Sequence, residues 1–325
     1  MSKTIFMTRK IPDIAIRMLE EKGYAVDINP KDLPPTQKHI IRALKKKPYD
    51  AVLSLLTDPI NARVFDAAPS VKLYANYATG YDNIDVVEAK KRGITVTNAP
   101  ATLLSEAVAE HTIALILALA TRIVEADKFV RRGKYKGWSP VSFIGTDILG
   151  KTLGLIGAGR IGERVAYYSK GLGFKIVYTD VVKNDRIEKE YGAVYRGSIE
   201  EVLREADVIS LHVPLLDSTK HLINEARLRL MKPTAFLVNT SRGPVVDEKA
   251  LEKVLREKII SAAALDVFEF EPKIAPGLLK LQNIILTPHI ASASAEARNQ
   301  MAEIAANNII DFLEGRTPKN IVLGR

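Results

Sequence analysis

Three short segments carry polar residues of unlike type, each directly behind an apolar, strand-like run. They are Val238-Asn239-Thr240-Ser241-Arg242-Gly243, Leu265-Asp266-Val267-Phe268-Glu269-Phe270-Glu271-Pro272 and Leu286-Thr287-Pro288-His289-Ile290-Ala291-Ser292. Arg242 brings a guanidinium, which clamps a carboxylate in a two-pronged fork and polarises a neighbouring carbonyl. His289 brings the one common side chain that exchanges protons near neutral pH. Glu271 brings a carboxylate that can bond the far nitrogen of that imidazole, orient it and stabilise the imidazolium. Together they suit chemistry on a small 2-oxo acid: capture of the anion, and a proton given to the carbonyl oxygen as hydride arrives. Reduction is then favoured at lower pH, where His289 carries its proton, and oxidation at higher pH. Taken singly, each residue is commonplace, since an arginine at a strand end usually makes a surface ion pair and a Glu-Pro step is usually a solvated turn. Their joint placement carries the weight.

A hydride needs a donor, and Lys151–Gly162 supplies a place for one. The run Leu153–Ile156 reads as a buried strand, followed by Gly157-Ala158-Gly159-Arg160-Ile161-Gly162 and a helix-like stretch from Ile161 to Leu172. Gly157 allows the tight turn, Gly159 lets a pyrophosphate approach bare backbone, and Gly162 lets helix pack closely on strand. The helix N-terminus then offers free N–H groups and a partial positive charge to the phosphates. A second apolar run, Lys175–Tyr178, leads to Asp180, where an acid accepts the ribose hydroxyls of adenosine and repels a 2′-phosphate. Val181, Val182, Lys183 and Asn184 supply no arginine beside it. The expected cofactor is therefore NAD (NADH) rather than NADP.

Regular elements must position these groups. Residues 1–100 alternate strand-like runs (Thr4–Met7, Ala25–Ile28, Ala51–Leu55, Lys72–Asn76, Thr95–Thr97) with helical stretches such as Pro12–Lys22 and Asp85–Arg92, the pattern of a parallel sheet covered on both faces. Residues 105–132 read as one long helix capped by Ser105 and stopped at Gly133, apolar nearly all round from Ile113 to Ala120. Such a helix is expected to cross between bodies and to face a partner chain. A Gly/Pro loop with the only tryptophan, Trp138, follows. Beyond Asp180, strands are expected near Val194, Val208–Leu211, Ala235–Asn239, Ala262–Leu265 and Ile284–Thr287, with helices at Ser198–Glu205, Asn224–Leu230 and Asp247–Glu257. The last helix, Ala295–Leu313, returns to the first domain. The domains expected are 1–100 and 290–325 for the substrate, and 101–289 for the dinucleotide, with the cleft between the lobes. Of the other histidines, His39, His111 and His221 have no partner that the sequence names, and His212, beside Val213-Pro214, is read as structural.

Bulk properties exclude other classes. At 325 residues with a hydrophobic fraction of 47%, two cores are feasible. No cysteine is present, which removes disulfides and thiolate metal sites, and no metal is expected. The net charge of +9 is spread out, and clusters such as Lys45-Lys46-Lys47 and Arg131-Arg132 suit helix C-terminal turns. Nucleic acid is not an expected partner; steering of small anions is. The opening Met1-Ser2-Lys3-Thr4 has no signal-peptide core, and Ile113–Ala120 is too short to span a bilayer, so a cytoplasmic protein with no membrane partner is expected.

These segments, together with Asn76-Tyr77-Ala78-Thr79-Gly80-Tyr81-Asp82-Asn83-Ile84-Asp85, resemble the D-isomer-specific 2-hydroxyacid dehydrogenases, most nearly the glyoxylate/hydroxypyruvate reductase branch. The likeness covers nearly the whole chain. It implies an α/β fold of two lobes, a Rossmann dinucleotide-binding domain inserted in a flavodoxin-like substrate domain, and a homodimer. It implies reduction of a small 2-oxo acid such as glyoxylate or hydroxypyruvate by NADH, with Arg242, Glu271 and His289 in the roles above. Backbone N–H groups around Ala78, Thr79 and Gly80, with Leu55 nearby, would grip the substrate. By the same likeness Arg160, Ile161, Asp180, Val213, Pro214, Thr219, Thr240, Asp266 and His289 would line the cofactor. Trp138, in the stretch from Gly137 through Gly145, would reach into the partner's active site. The chain departs from the branch at Asp180, where NADPH-using members carry arginines nearby, and at Val108, where many relatives have a threonine near the pyrophosphate. Formate and phosphite dehydrogenases fit less well, because Glu271 stands where the former have glutamine and the 77–80 loop lacks the latter's lysine. The alternative of another class is an NAD(H)-sensing, dehydrogenase-like corepressor, which keeps the same triad.

Overall fold

A computed structural model describes residues 3–322, so the readings of the chain's opening at Met1 and Ser2 and of its end at Arg325 lie outside the described residues. In chain order the elements begin with β1 (Thr4–Met7), α1 (Asp13–Glu21), β2 (Ala25–Ile28), α2 (Gln37–Leu44), β3 (Ala51–Leu55), α3 (Ala62–Ala67), β4 (Leu73–Tyr77), α4 (Val86–Lys91) and β5 (Thr95–Thr97). Next come α5 (Thr102–Thr121), α6 (Ile123–Arg131), β6 (Thr152–Ile156), α7 (Arg160–Gly171), β7 (Lys175–Thr179), α8 (Asp185–Tyr191), β8 (Val194–Tyr195) and α9 (Ile199–Glu205). The rest are β9 (Val208–Leu211), α10 (Glu225–Leu228), β10 (Phe236–Asn239), α11 (Glu248–Arg256), β11 (Ala262–Leu265), β12 (Ile284–Leu286) and α12 (Ala295–Leu313). They fall into two compact units, one taking the chain up to Leu104 and from Ala293 onward, the other Ser105–Ser292.

The first unit holds a five-stranded parallel sheet in the order β2-β1-β3-β4-β5, the flavodoxin-like arrangement. Its strands are short apolar runs because helices cover both faces, leaving no solvent side to demand polar residues. On one face Phe6, Val52 and Tyr74 pack against Ile40 of α2 and Phe65 of α3. Local signals set the helix ends: Thr36 Oγ1 accepts from His39 N–H, Asp85 accepts from Glu88 N–H, and Gly93 follows α4 with φ of 63°. The returning α12 packs on α1 and β4 and buries Met301, Ala305 and Ile309; Tyr77 Oη donates to Arg298 O at 2.9 Å.

The second unit holds a seven-stranded sheet in the order β12-β11-β10-β9-β6-β7-β8, with every neighbouring pair parallel. Alternate residues of each strand serve opposite cores. Leu153, Leu155 and Val238 face one side with α5 and α7, whereas Ile156, Leu211 and Leu237 face the other with α9 and α11. Each fully buried Leu or Ile contributes about 1.5–3 kcal/mol. The chain winds outward from β6 to β8, then restarts beside β6 at β9. The crevice at that switch, beyond the carboxyl ends of the strands, is where such a sheet holds its ligands.

The helix expected over 105–132 is two helices. It starts at Thr102, so Ser105 lies inside the first turns, and it breaks at Arg122, whose left-handed φ of 55° ends α5 and opens α6. Composition gave no warning, because Arg122 is neither Gly nor Asn. By length and composition alone α5, with 20 residues and a mean hydropathy of 1.6, could cross a membrane, which the shorter run Ile113–Ala120 did not suggest. Its burial explains the composition instead: Ala109, Leu115, Ile116 and Leu119 belong to the core of the second unit.

Candidate active site

The glycine turn lies where β6 ends. Gly157 has φ of 96°, and a Cβ there would sit 2.6 Å from His212 O. A Cβ on Gly162 would sit 2.3 Å from Gly157 O. Both residues are thus glycine for the protein's own packing. Gly159 differs: a Cβ there would meet nothing within 4 Å. No packing among the described residues requires Gly159, so the bare backbone there fits the close approach of a ligand, and a pyrophosphate at the N-terminus of α7 is such a ligand. The first bond of that helix, Glu163 N–H to Gly159 O at 2.9 Å, leaves the earlier N–H groups of Arg160, Ile161 and Gly162 outside the ladder. Asp180, behind β7, accepts Ala158 N–H at 2.6 Å on one oxygen and Val181 N–H at 2.6 Å on the other. Asn184 caps α8 and donates to Ala158 O at 2.7 Å, closing the same pocket. Lys183, the one cation between Asp180 and Asn184, lies 4.9 Å from the Tyr195 ring centroid.

His212 stands across the turn from Gly157, and its Nε2 meets Ser210 Oγ at 2.8 Å. Nδ1 is sealed without a partner, and burial pushes the imidazole down from 6.5 to about 3. The folded state therefore keeps His212 neutral while the unfolded chain takes up a proton below pH 6.5. Stability from this residue is complete above 6.5 and drains away as pH falls toward 3, by about 1.4 kcal/mol per pH unit. Urea unfolding of the parent and of His212→Asn at pH 7 and pH 5 checks this: the parent is expected to lose about 2 kcal/mol more than the variant.

The loops after β10, β11 and β12 bring two of the three chemical groups together directly. His289 Nδ1 meets Glu271 Oε2 at 2.9 Å, with both side chains about a quarter exposed, 26% and 28%. Nε2 of His289 has no hydrogen-bond partner among the described residues. Glu271 is fixed in turn by Phe268 N–H, which donates to Oε1 at 2.9 Å. Arg242 sits in the neighbouring loop, half-buried, with Nη1 donating to Ser241 O at 2.8 Å. Asn239 holds that loop by donating to Arg242 O at 2.9 Å and accepting Ser241 N–H at 3.0 Å.

These loops are braced by contacts between residues distant along the chain. A Cβ at Gly243 would lie 1.9 Å from Phe268 O, so the Arg242 loop presses directly on the one that carries Glu271. Buried Glu248 accepts Glu269 N–H at 2.6 Å and Ala275 N–H at 3.2 Å, and burial, with the nearby Glu269 and Glu271 charges, pushes its carboxyl up. His221, which had no partner on sequence grounds, bonds Glu269 at 2.7 Å. Glu248 and its partners lie far apart in sequence.

Other expected site residues are placed as follows. Asp266 has no exposed surface, and both oxygens are taken: Thr287 Oγ1 donates at 2.6 Å, Ile290 N–H at 2.9 Å and Ala291 N–H at 2.8 Å. It thereby anchors the His289 loop from beneath. Burial pushes its carboxyl up, but His111, Thr287 and the two N–H groups outweigh that and hold it below the ordinary range. Thr240 is buried against Thr112, hydroxyl to hydroxyl at 2.9 Å, and Thr219 closes its own loop by donating to Pro214 O at 2.6 Å. Val213 is half-buried and Pro214 exposed. Val108 is buried, and its carbonyl accepts from Thr112. In the other unit Leu55 is half-buried at the end of β3. Ala78 cannot offer its N–H, which already donates to Asn76 O at 2.8 Å; those of Thr79 and Gly80 have no acceptor among the described residues. Trp138 is 83% exposed, so packing within its own chain does not explain it.

Comparison with known proteins identifies the family. The profile of the family described as D-isomer specific 2-hydroxyacid dehydrogenase, NAD binding domain, matches residues 113–291. A glyoxylate reductase of Korarchaeum cryptofilum is 51% identical over 99% of this chain and 96% of its own. Among solved structures, a putative D-isomer specific 2-hydroxyacid dehydrogenase from Polaromonas is 31% identical with a TM-score of 0.93, covering 99% of this chain and 100% of that one. An NADPH-dependent glyoxylate/hydroxypyruvate reductase from Sinorhizobium meliloti is 30% identical with a TM-score of 0.83, covering 98% and 97%. On these matches the chain belongs to the D-isomer specific 2-hydroxyacid dehydrogenases, oxidoreductases that bind a nicotinamide dinucleotide.

Proposed function

We propose that this protein reduces glyoxylate or hydroxypyruvate to the corresponding 2-hydroxy acid, with NADH preferred and His289 as the general acid. The observation that carries the reading is the 2.9 Å bond from Glu271 to His289 Nδ1, with Nε2 left unbonded among the described residues. A carboxylate on one ring nitrogen stabilises the imidazolium and sets the ring's aim, which frees the other nitrogen to give its proton to a carbonyl oxygen. Arg242 takes the substrate's carboxylate and draws charge from the carbonyl. A bound nicotinamide supplies the hydride. In the reverse direction neutral His289 removes the hydroxyl proton. The names of the glyoxylate reductase and glyoxylate/hydroxypyruvate reductase relatives support a two- or three-carbon oxo acid.

The preference for NADH rests on Asp180, whose carboxylate closes the adenosine end of the pocket with no arginine in the following loop. A homodimer is supported by α6, which buries no residue in its own chain, and by the exposed Val130, Trp138, Val141 and Ile144 that follow one another there. Trp138 then belongs to the partner's site rather than to its own.

Steady-state rates with glyoxylate, hydroxypyruvate and pyruvate, each with NADH and NADPH, test the reading. Turnover of the first two with NADH is the expected result; tight NADH binding without turnover of any oxo acid would point to a sensor instead. Asp180→Ala is expected to shrink the preference for NADH over NADPH by about tenfold or more. An unchanged ratio would remove Asp180 from cofactor choice.

A further inference from the structure

His111 has no place in the chemistry above, yet it reaches the foot of the His289 loop. Its Nε2 lies 3.2 Å from Thr287 Oγ1 and 3.6 Å from Asp266 Oδ1. The hydroxyl of Thr287 has one hydrogen, and the buried carboxylate of Asp266, 2.6 Å away, can only accept it. The oxygen of Thr287 can therefore only accept from His111, so Nε2 of His111 carries a hydrogen. This settles the tautomer by counting donors and acceptors.

What hangs from that arrangement is the segment with the proton donor. Asp266 takes the N–H groups of Ile290 and Ala291 on its side chain, and its backbone oxygen takes His289 N–H at 2.8 Å. His289 itself has φ of 56°, a conformation that a residue with a Cβ keeps only where its surroundings over-determine it. One carboxylate with no exposed surface holds residues 287–291, and His111, from α5, is the side chain that holds the Thr287–Asp266 pair.

We propose that His111 is a positioning residue for the reaction: its Nε2–H locks Thr287 onto Asp266, and so keeps His289 in the conformation that aims its free nitrogen. This rests on His289 being the proton donor. His111 touches no reacting atom in this scheme; it acts through two residues, and its loss should be felt in the rate of the chemical step more than in binding.

The test uses the full chain and four variants, with kcat, KM for hydroxypyruvate and the NADH dissociation constant measured for each. His111→Phe keeps a flat ring and removes the donor. Its kcat is expected to fall about tenfold, with KM and NADH affinity within about twofold of the parent. His111→Gln, which restores an N–H donor, should recover to within about threefold. In a Thr287→Val background, where there is no hydroxyl to lock, His111→Phe should add little further loss. His289→Ala is run beside them. If His289→Ala is slow while His111→Phe turns over like the parent, or if the His111 and Thr287 effects simply multiply, His111 positions nothing and only this inference falls. If His111→Phe and His111→Gln lose NADH binding or fold together, His111 is a packing residue and the inference is likewise overturned. If His289→Ala itself turns over like the parent, the acid assignment beneath both readings is what has failed.

Discussion

Replacing His289 by alanine is expected to lower kcat for oxo-acid reduction by about 10²- to 10⁴-fold, the usual range for loss of a positioned general acid. NADH affinity, followed by fluorescence, should hardly change, because His289 is on the loop after β12 while the glycine turn and Asp180 lie behind β6 and β7. The fold should tolerate the change. His289 bonds its neighbours through its backbone N–H, which donates to Asp266 O at 2.8 Å and Thr287 O at 3.0 Å, and both bonds survive truncation of the side chain. Glu271→Gln should fall between parent and His289→Ala. It keeps a polar group near Nδ1 but loses the charge that stabilises the imidazolium. Parent-like turnover by His289→Ala would reject the acid–base assignment outright.

Replacing Arg242 by alanine is expected to lower kcat/KM by about 10³-fold, equivalent to about 4 kcal/mol, as two charge-assisted hydrogen bonds to the substrate are removed. Both KM and kcat should suffer, since the guanidinium binds the anion in the ground state and draws on the carbonyl in the transition state. The loop itself should persist, because Asn239 holds Arg242 through its carbonyl and Gly243 is seated against Phe268. Arg242→Lys should recover only part of the loss: an ammonium keeps the charge and forfeits the planar fork. A variant that weakened NADH binding and left substrate capture intact would place Arg242 elsewhere in the scheme.

Much of this was legible in the residues, for identifiable reasons. Parallel strands covered on both faces read as unbroken apolar runs, so Thr4–Met7, Val208–Leu211 and Ala262–Leu265 emerge with the limits that the fold has. Elsewhere the ends slip by a residue, as at Leu73–Tyr77, because hydrophobicity does not mark where a ladder stops. Arg242, Glu271 and His289 stand out because polar residues directly behind such runs fall at the carboxyl edge of the sheet. The glycine turn was readable for the same reason, although only geometry separates Gly157 and Gly162, which the packing demands, from Gly159, which it does not.

What stayed hidden depends on contacts between distant residues or on single backbone angles. The break at Arg122 is one dihedral in an otherwise helical pattern. The resemblance puts Asp266 beside the cofactor; its hold on residues 287–291 stayed hidden because those partners are supplied by folding. His111 and His221 lacked partners on paper because those partners, Thr287 and Glu269, are placed by folding rather than by spacing.

The central claim is that one imidazole gives a proton in one direction of the reaction and takes it back in the other. The most direct measurement is kcat/KM against pH in both directions on the same preparation, with hydroxypyruvate and NADH one way and D-glycerate and NAD the other. The expected result is a pair of opposed curves, reduction falling and oxidation rising as the pH is raised, with both limbs absent from His289→Ala. Curves that run the same way, or that keep both limbs in the variant, would contradict it.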